Sequence, residues 1–124
     1  MRQAELFTAL KIEVLGKRYD LQHAFLSPAE MRKVTKRTKP RRKVGAPTKA
    51  SGKGHVSNVL SFPLSKTSGE ILICKQAAAP YTPAYLFIHG LLHLKGLKHG
   101  ARMESAEQEL LQRFSLHAKN RHRH

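Results

Sequence analysis

The chain has 124 residues, the size of one domain with one hydrophobic core. Lys and Arg number 23 against 8 Asp and Glu, a formal charge of +15 with every His neutral, an excess of one sign that points to a polyanionic partner. No apolar run approaches the roughly 18 residues that span a bilayer, the N-terminal stretch lacks a signal peptide's apolar segment, and the single Cys74 cannot form an internal disulfide. The expectation is a cytoplasmic protein with no membrane contact.

Taken in order, Ala4 to Leu15 places Leu6, Phe7, Leu10, Val14 and Leu15 at helical spacing, with Gly16 as the stop. Tyr19 to Leu26 reads as a strand, cut off by Ser27-Pro28. Ser27 has the form of an N-cap, with Pro28 at the first helical position and Glu30 completing a capping box, which predicts a helix over Pro28 to Thr38. From about 39 to 57 Lys, Arg, Gly, Pro, Ser and Thr dominate, and such a stretch buries too little apolar surface to offset its ordering entropy. It is expected to be a flexible basic loop. Ten Lys or Arg fall between Arg32 and Lys53, while no acid occurs from Glu30 to Glu70, so most of the net charge sits here.

Asn58 to Leu64 and Glu70 to Cys74 read as two buried strands. Pro83 to Leu94 is apolar nearly all round, which belongs in the middle of a core. A last helix, Arg102 to Phe114, sets Met103, Ala106, Leu110, Leu111 and Phe114 on one face, with Glu104, Glu107 and Glu109 in its earlier part as the helix dipole prefers. Residues 117–124 read as a disordered basic tail. The domain expectation is one catalytic domain over 1–116.

The chemistry lies in the central apolar segment. His89 and His93 are at i and i+4, within roughly 40° of each other on one helical face. Gly96 ends the helix and reverses the chain, which allows His99 to return to the same point. Three imidazoles with a fourth position open is the ligand set of a catalytic zinc, whereas a structural zinc is closed by four protein ligands. Such a metal lowers the pKa of its water to near neutrality and polarises a carbonyl or phosphoryl oxygen, which favours hydrolysis. The zinc-peptidase string H-E-x-x-H puts a Glu after the first His, but Gly90 stands there. A phosphodiesterase acting on nucleic acid therefore fits the basic loop better. His23, His55, His117, His122 and His124 read as surface or tail residues. For the general base, Glu70, Glu104, Glu107 and the substrate itself all stay open, and an aromatic content of 6% without Trp gives no sign of a base-stacking platform.

The string H-G-L-L-H-L-K-G-L-K-H, with S-N-V-L-S-F-P and G-E-I-L-I-C upstream and M-E-S-A-E-Q-E-L-L downstream, resembles the YbeY family of bacterial rRNA maturation factors, metal-dependent single-strand-specific endoribonucleases. The resemblance runs over roughly Ser27 to Phe114 and implies an α+β, zincin-like fold: a small mixed sheet surrounded by helices, with the histidine helix central. It implies one zinc ion per chain on His89, His93 and His99, which would act in catalysis through the metal, and a cleft lined by Ser57 to Pro63. RNA, specifically rRNA, and the ribosome are the implied partners, with roles in rRNA maturation and ribosome quality control. The family's arginine upstream of the cleft element has candidates in Arg37, Arg41 and Arg42, with Arg41 assigned the catalytic role. Arg37, Arg41, Arg42, Lys43 and Lys98 are the expected RNA contacts. Leu97 and Lys98 stand where the family pattern has Tyr and Asp. Two other readings stay open on the residues: a non-catalytic ribosome-associated RNA-binding factor with a structural zinc, and a zinc peptidase.

Overall fold

Residues 2–38 and 58–119 are described by the structure, a computed structural model. The helix-period pattern at the N-terminus forms α1 (Gln3–Leu15), which buries Phe7, Leu10 and Val14 on one face. After β1 (Asp20–Phe25), α2 (Pro28–Thr38) starts at the expected capping box. Ser27 Oγ accepts from the Glu30 amide at 3.1 Å, and a Glu30 carboxylate oxygen accepts from the Ser27 amide at 2.9 Å, so two amides left over at the helix start are satisfied reciprocally. The expected basic loop at 39–57 lies outside the described residues, as does the expected tail from residue 120 onward. The first residues of that tail, 117–119, are ordered, contrary to the expectation: the Thr82 hydroxyl donates to the His117 carbonyl at 2.8 Å and the Thr82 amide to the Ala118 carbonyl at 2.9 Å.

The chain continues through β2 (Val59–Ser65), β3 (Ser68–Ile73), a short 3-10 turn at Lys75–Ala77, α3 (Pro83–Lys95) and α4 (Ala101–Arg113). The three strands form one mixed sheet in the order β1-β3-β2, with β1 parallel and β2 antiparallel to β3. Small mixed sheet and helices together are the α+β architecture expected. Of the two strands expected to be buried, β3 is, because it has a neighbour on each side. β2 is an edge strand and only half-buried, and its last residues are open, Leu64 being 64% exposed.

Strand alternation on β3 assigns the two faces of the sheet. Ile71 and Ile73 join the main core with α1, α3 and α4, while Leu72 and Cys74 pack with Met31 of α2 on the other side. The centre of the main core is α3, where Leu86, Phe87, Ile88, Gly90, Leu91 and Leu92 are all buried. Phe87 stacks on Phe7 of α1 with ring centroids 3.8 Å apart and planes 7° from parallel. Burying one such side chain contributes about 1.5–3 kcal/mol, so α3 is held rigidly between the sheet, α1 and α4. Arg113 at the end of α4 pairs with Glu13 of α1 and, at 3.0 Å, with Glu109. No helix among the described residues is long and apolar enough to cross a membrane.

Candidate metal centre

Because α3 is buried on most sides, the one face it turns outward is fixed in place, and that face carries His89 and His93. The helix begins at Thr82, whose hydroxyl accepts from the Tyr85 amide at 3.1 Å, and ends at Gly96, which adopts φ 107° and ψ 4°. Only glycine takes that left-handed geometry without a steric penalty. The reversal brings His99 back over the helix end, as the spacing predicted.

The result is a cluster of three imidazoles. Ligand nitrogens of His89, His93 and His99 lie within 4.8 Å of one another. The Nε2 of His93 is 3.2 Å from Nε2 of His89 and 2.9 Å from Nε2 of His99. Two nitrogens each about 2.05 Å from a tetrahedral zinc stand about 3.3 Å apart, so the spacing suits a single ion of that size.

Proton placement points the same way. The Nδ1 of His89 lies 2.6 Å from Oε2 of Glu107, and Nδ1 of His93 lies 3.1 Å from the Leu97 carbonyl. A carboxylate and a carbonyl only accept, so each Nδ1 carries its ring's proton and each Nε2 presents a lone pair to the cluster. Two lone pairs 3.2 Å apart do not hydrogen-bond to each other; a cation between them satisfies both. Burial lowers the pKa of His93 below that of an ordinary histidine, helped by the neighbouring His89, which favours the neutral, ligating form. Three histidines are thus positioned to bind a metal ion.

Glu107 is the residue whose place the sequence did not reveal. It is only 4% exposed, on the apolar face of α4 beside Met103, Leu110 and Leu111. One carboxylate oxygen takes His89 and the other accepts from the Tyr85 hydroxyl at 3.0 Å. Burial, followed by the Glu107 charge, pushes the Tyr85 phenol up to about 12, so it stays a donor. The available signal was a charge at position 107, on the stripe that Met103, Leu110 and Leu111 mark as buried. Among the other acids, Glu104 is exposed in the first turn of α4, and Glu70 stands on the Leu72 row of β3, on the sheet face away from the histidines. Neither is at the cluster.

A cleft of about 230 Å³ opens at the histidines, walled by Asn58, Val59 and Ser61 from the start of β2 and by Gly90 of α3. Among the described residues its lining contains no carboxylate. Gly90 lets Ile71 pack close: a β-carbon at this position would lie 3.1 to 3.2 Å from three carbons of the Ile71 side chain, which would have to give by a few tenths of an ångström. Of the other expected site residues, Lys98 is exposed next to His99. Arg37 lies in α2, and Arg41, Arg42 and Lys43 fall outside the described residues. Among the remaining histidines His23 sits on β1 against the rings of Phe7 and Phe87, at 5.2 and 5.5 Å, away from the cluster.

No family model matches the chain. Proteins named Endoribonuclease YbeY do. One from Aromatoleum aromaticum is 34% identical over 74 residues, covering 49% of this chain and 48% of the relative. Those from Rubrobacter xylanophilus, 36% over 66 residues, and Hydrogenovibrio crunogenus, 33% over 87 residues, cover 50% and 48% of this chain and 48% and 54% of their own length. The chain is thus similar to proteins of the YbeY family over about half of its length. It spans about half the length of the YbeY proteins it matches. The two departures from the YbeY pattern quoted above are now placed: the Leu97 side chain packs against the main core while its carbonyl holds His93, and Lys98 points charge to solvent at the cluster's edge. The carbonyl contact is made by backbone, so replacing Tyr with Leu at that position leaves it possible.

Proposed function

We propose that this chain is a zinc-dependent endoribonuclease that cleaves single-stranded RNA in rRNA maturation and ribosome quality control, with one ion per chain held by His89, His93 and His99. The observation that carries it is the convergence of three imidazole Nε2 atoms on a cleft that, among the described residues, is lined by no carboxylate. When bound, zinc supplies a Lewis acid for a phosphoryl oxygen and a means of activating water. The reaction is hydrolysis of a phosphodiester, in which water gives its hydroxyl to phosphorus and a proton to the departing sugar oxygen.

The residues set up that chemistry in three ways. Neutral imidazoles leave the ion's full charge available for an anionic substrate. Glu107 and the Leu97 carbonyl hold two rings in the ligating tautomer. Lys98 at the edge of the cluster supplies phosphate-neutralising charge, and the resemblance gives the same part to Arg37, Arg41, Arg42 and Lys43, with Arg41 as the catalytic arginine. Glu107 has both oxygens engaged away from the cleft, so its part is to orient His89 and not to act as base.

The competing readings are weaker on specific points. A purely structural zinc is expected to be closed by a fourth protein ligand, and among the described residues the cluster has three. A peptidase of the H-E-x-x-H type needs a Glu at position 90, where Gly90 stands and where even a β-carbon would press on the buried Ile71 side chain at 3.1 to 3.2 Å. The test is His93→Ala, with metal content and cleavage of a single-stranded RNA measured on the same preparation. Both stoichiometric zinc and cleavage are expected to disappear. Cleavage that survives in a preparation free of contaminating nuclease overturns the reading, and zinc-loaded protein that binds RNA without cutting it favours the RNA-binding factor.

A further inference from the structure

Two polar residues stand in rows that the hydrophobic pattern assigns to the core, and both are at the histidine cluster. Glu107 is explained by its bond to His89. The other is Ser61. On β2 it shares a row with Val59, which packs against the main core, and it sits directly opposite Ile71 of β3, the buried side chain that fills the space under Gly90. Ser61 is half-buried and lines the cleft, so its hydroxyl is presented to whatever occupies that cleft. Ser61 Oγ has no hydrogen-bond partner among the described residues, nor does the Asn58 side chain, and both residues line the cleft with the three histidines.

We propose that the Ser61 hydroxyl, with the Asn58 amide beside it, donates to a non-bridging oxygen of the substrate phosphodiester, making the start of β2 the substrate-binding wall of the cleft. The assignment rests on the phosphodiesterase reading. Phosphate oxygens only accept, and a serine hydroxyl and a primary amide both offer donors. The wall belongs to a strand tied to β3 along its length, so these groups are held in place without a substrate. The wall also holds no acid to repel an anion. His89 and His93 do not activate Ser61 as a nucleophile in this arrangement: their ring nitrogens are committed to Glu107, to the Leu97 carbonyl and to the cluster, and none of these four is left to take its proton.

The experiment compares wild type, Ser61→Ala and Ser61→Thr, each zinc-loaded and matched for metal content and melting temperature. It reads the Kd for inorganic phosphate by calorimetry and kcat/KM on a single-stranded RNA. Ser61→Ala is expected to weaken phosphate binding and to lower kcat/KM by about 10- to 100-fold, the effect of losing a hydrogen bond to a charged group. Ser61→Thr, which keeps the hydroxyl, should stay within about threefold of wild type. Phosphate affinity and cleavage in Ser61→Ala within about twofold of wild type overturn the assignment. If wild type cuts no RNA yet Ser61→Ala still loses phosphate affinity, the endoribonuclease reading fails while the phosphate assignment stands.

Discussion

Glu107 on α4 and His89 on α3 meet through Oε2 and Nδ1 at 2.6 Å, with the carboxylate buried and its other oxygen held by Tyr85. A buried carboxylate tolerates this setting because both oxygens accept a hydrogen bond. It also decides which nitrogen of His89 faces the cluster.

Glu107→Gln keeps the side-chain volume but removes the charge that fixes the tautomer. Zinc affinity, measured by competition with a chromogenic chelator, is expected to fall about 10-fold or more, as for other outer partners of ligating histidines. Tyr85→Phe frees one oxygen of Glu107 and should have a smaller effect in the same direction. An unchanged affinity in Glu107→Gln would show that the Glu107 contact does not orient the ligand.

Gly90→Glu writes the H-E-x-x-H string into the chain, and it should not produce a peptidase. The new side chain meets the fully buried Ile71, so overpacking together with a buried charge should destabilise the fold by about 2 kcal/mol or more. Thermal unfolding reads the first effect, and digestion of a peptide library with and without chelator reads the second.

The pKa of His93 is depressed by burial, so in the range below about pH 6.5 the unfolded chain binds more protons than the folded one. The stability this residue contributes is therefore present above about pH 6.5 and is lost as the pH falls through the folded value. Protons also compete with metal for the same nitrogens, so zinc affinity should drop over the same range. At the other extreme the Tyr85 phenol, raised to about 12 from the ordinary tyrosine value of 10.0, contributes stability that is present below pH 10 and lost as the pH rises toward 12. Melting temperature and zinc affinity followed across pH check both signs.

Lys98→Ala removes an exposed charge beside His99 and touches no packing. RNA affinity should weaken uniformly across sequences, and the slope of log K against log salt should become shallower by about 0.7, one single-strand phosphate contact. Zinc content should not change. A salt slope equal to wild type would place Lys98 off the RNA path.

Much of the fold was legible because it is local. The periods of 3.6 and 2, the Ser27-Glu30 capping box and the stop at Gly96 each depend on residues a few positions apart, and all recur in the structure. The metal ligands were legible for the same reason, since His89, His93 and His99 lie within one helix and the turn that follows it. β2 was harder: its apolar run reads as buried, but being at a sheet edge is a property of strand order, which no local pattern carries.

The sequence by itself therefore determined a basic α+β chain with three histidines converging on one point, because helix geometry converts spacing into direction. Tertiary structure decided the surroundings of that point. Glu107 is 18 residues from His89 along the chain, and Ser61 enters the cleft from a strand on the far side of it. Whether a Glu on a helix is a solvated charge or a buried partner depends on what packs against that helix, and only the docking of α4 on α3 settles it.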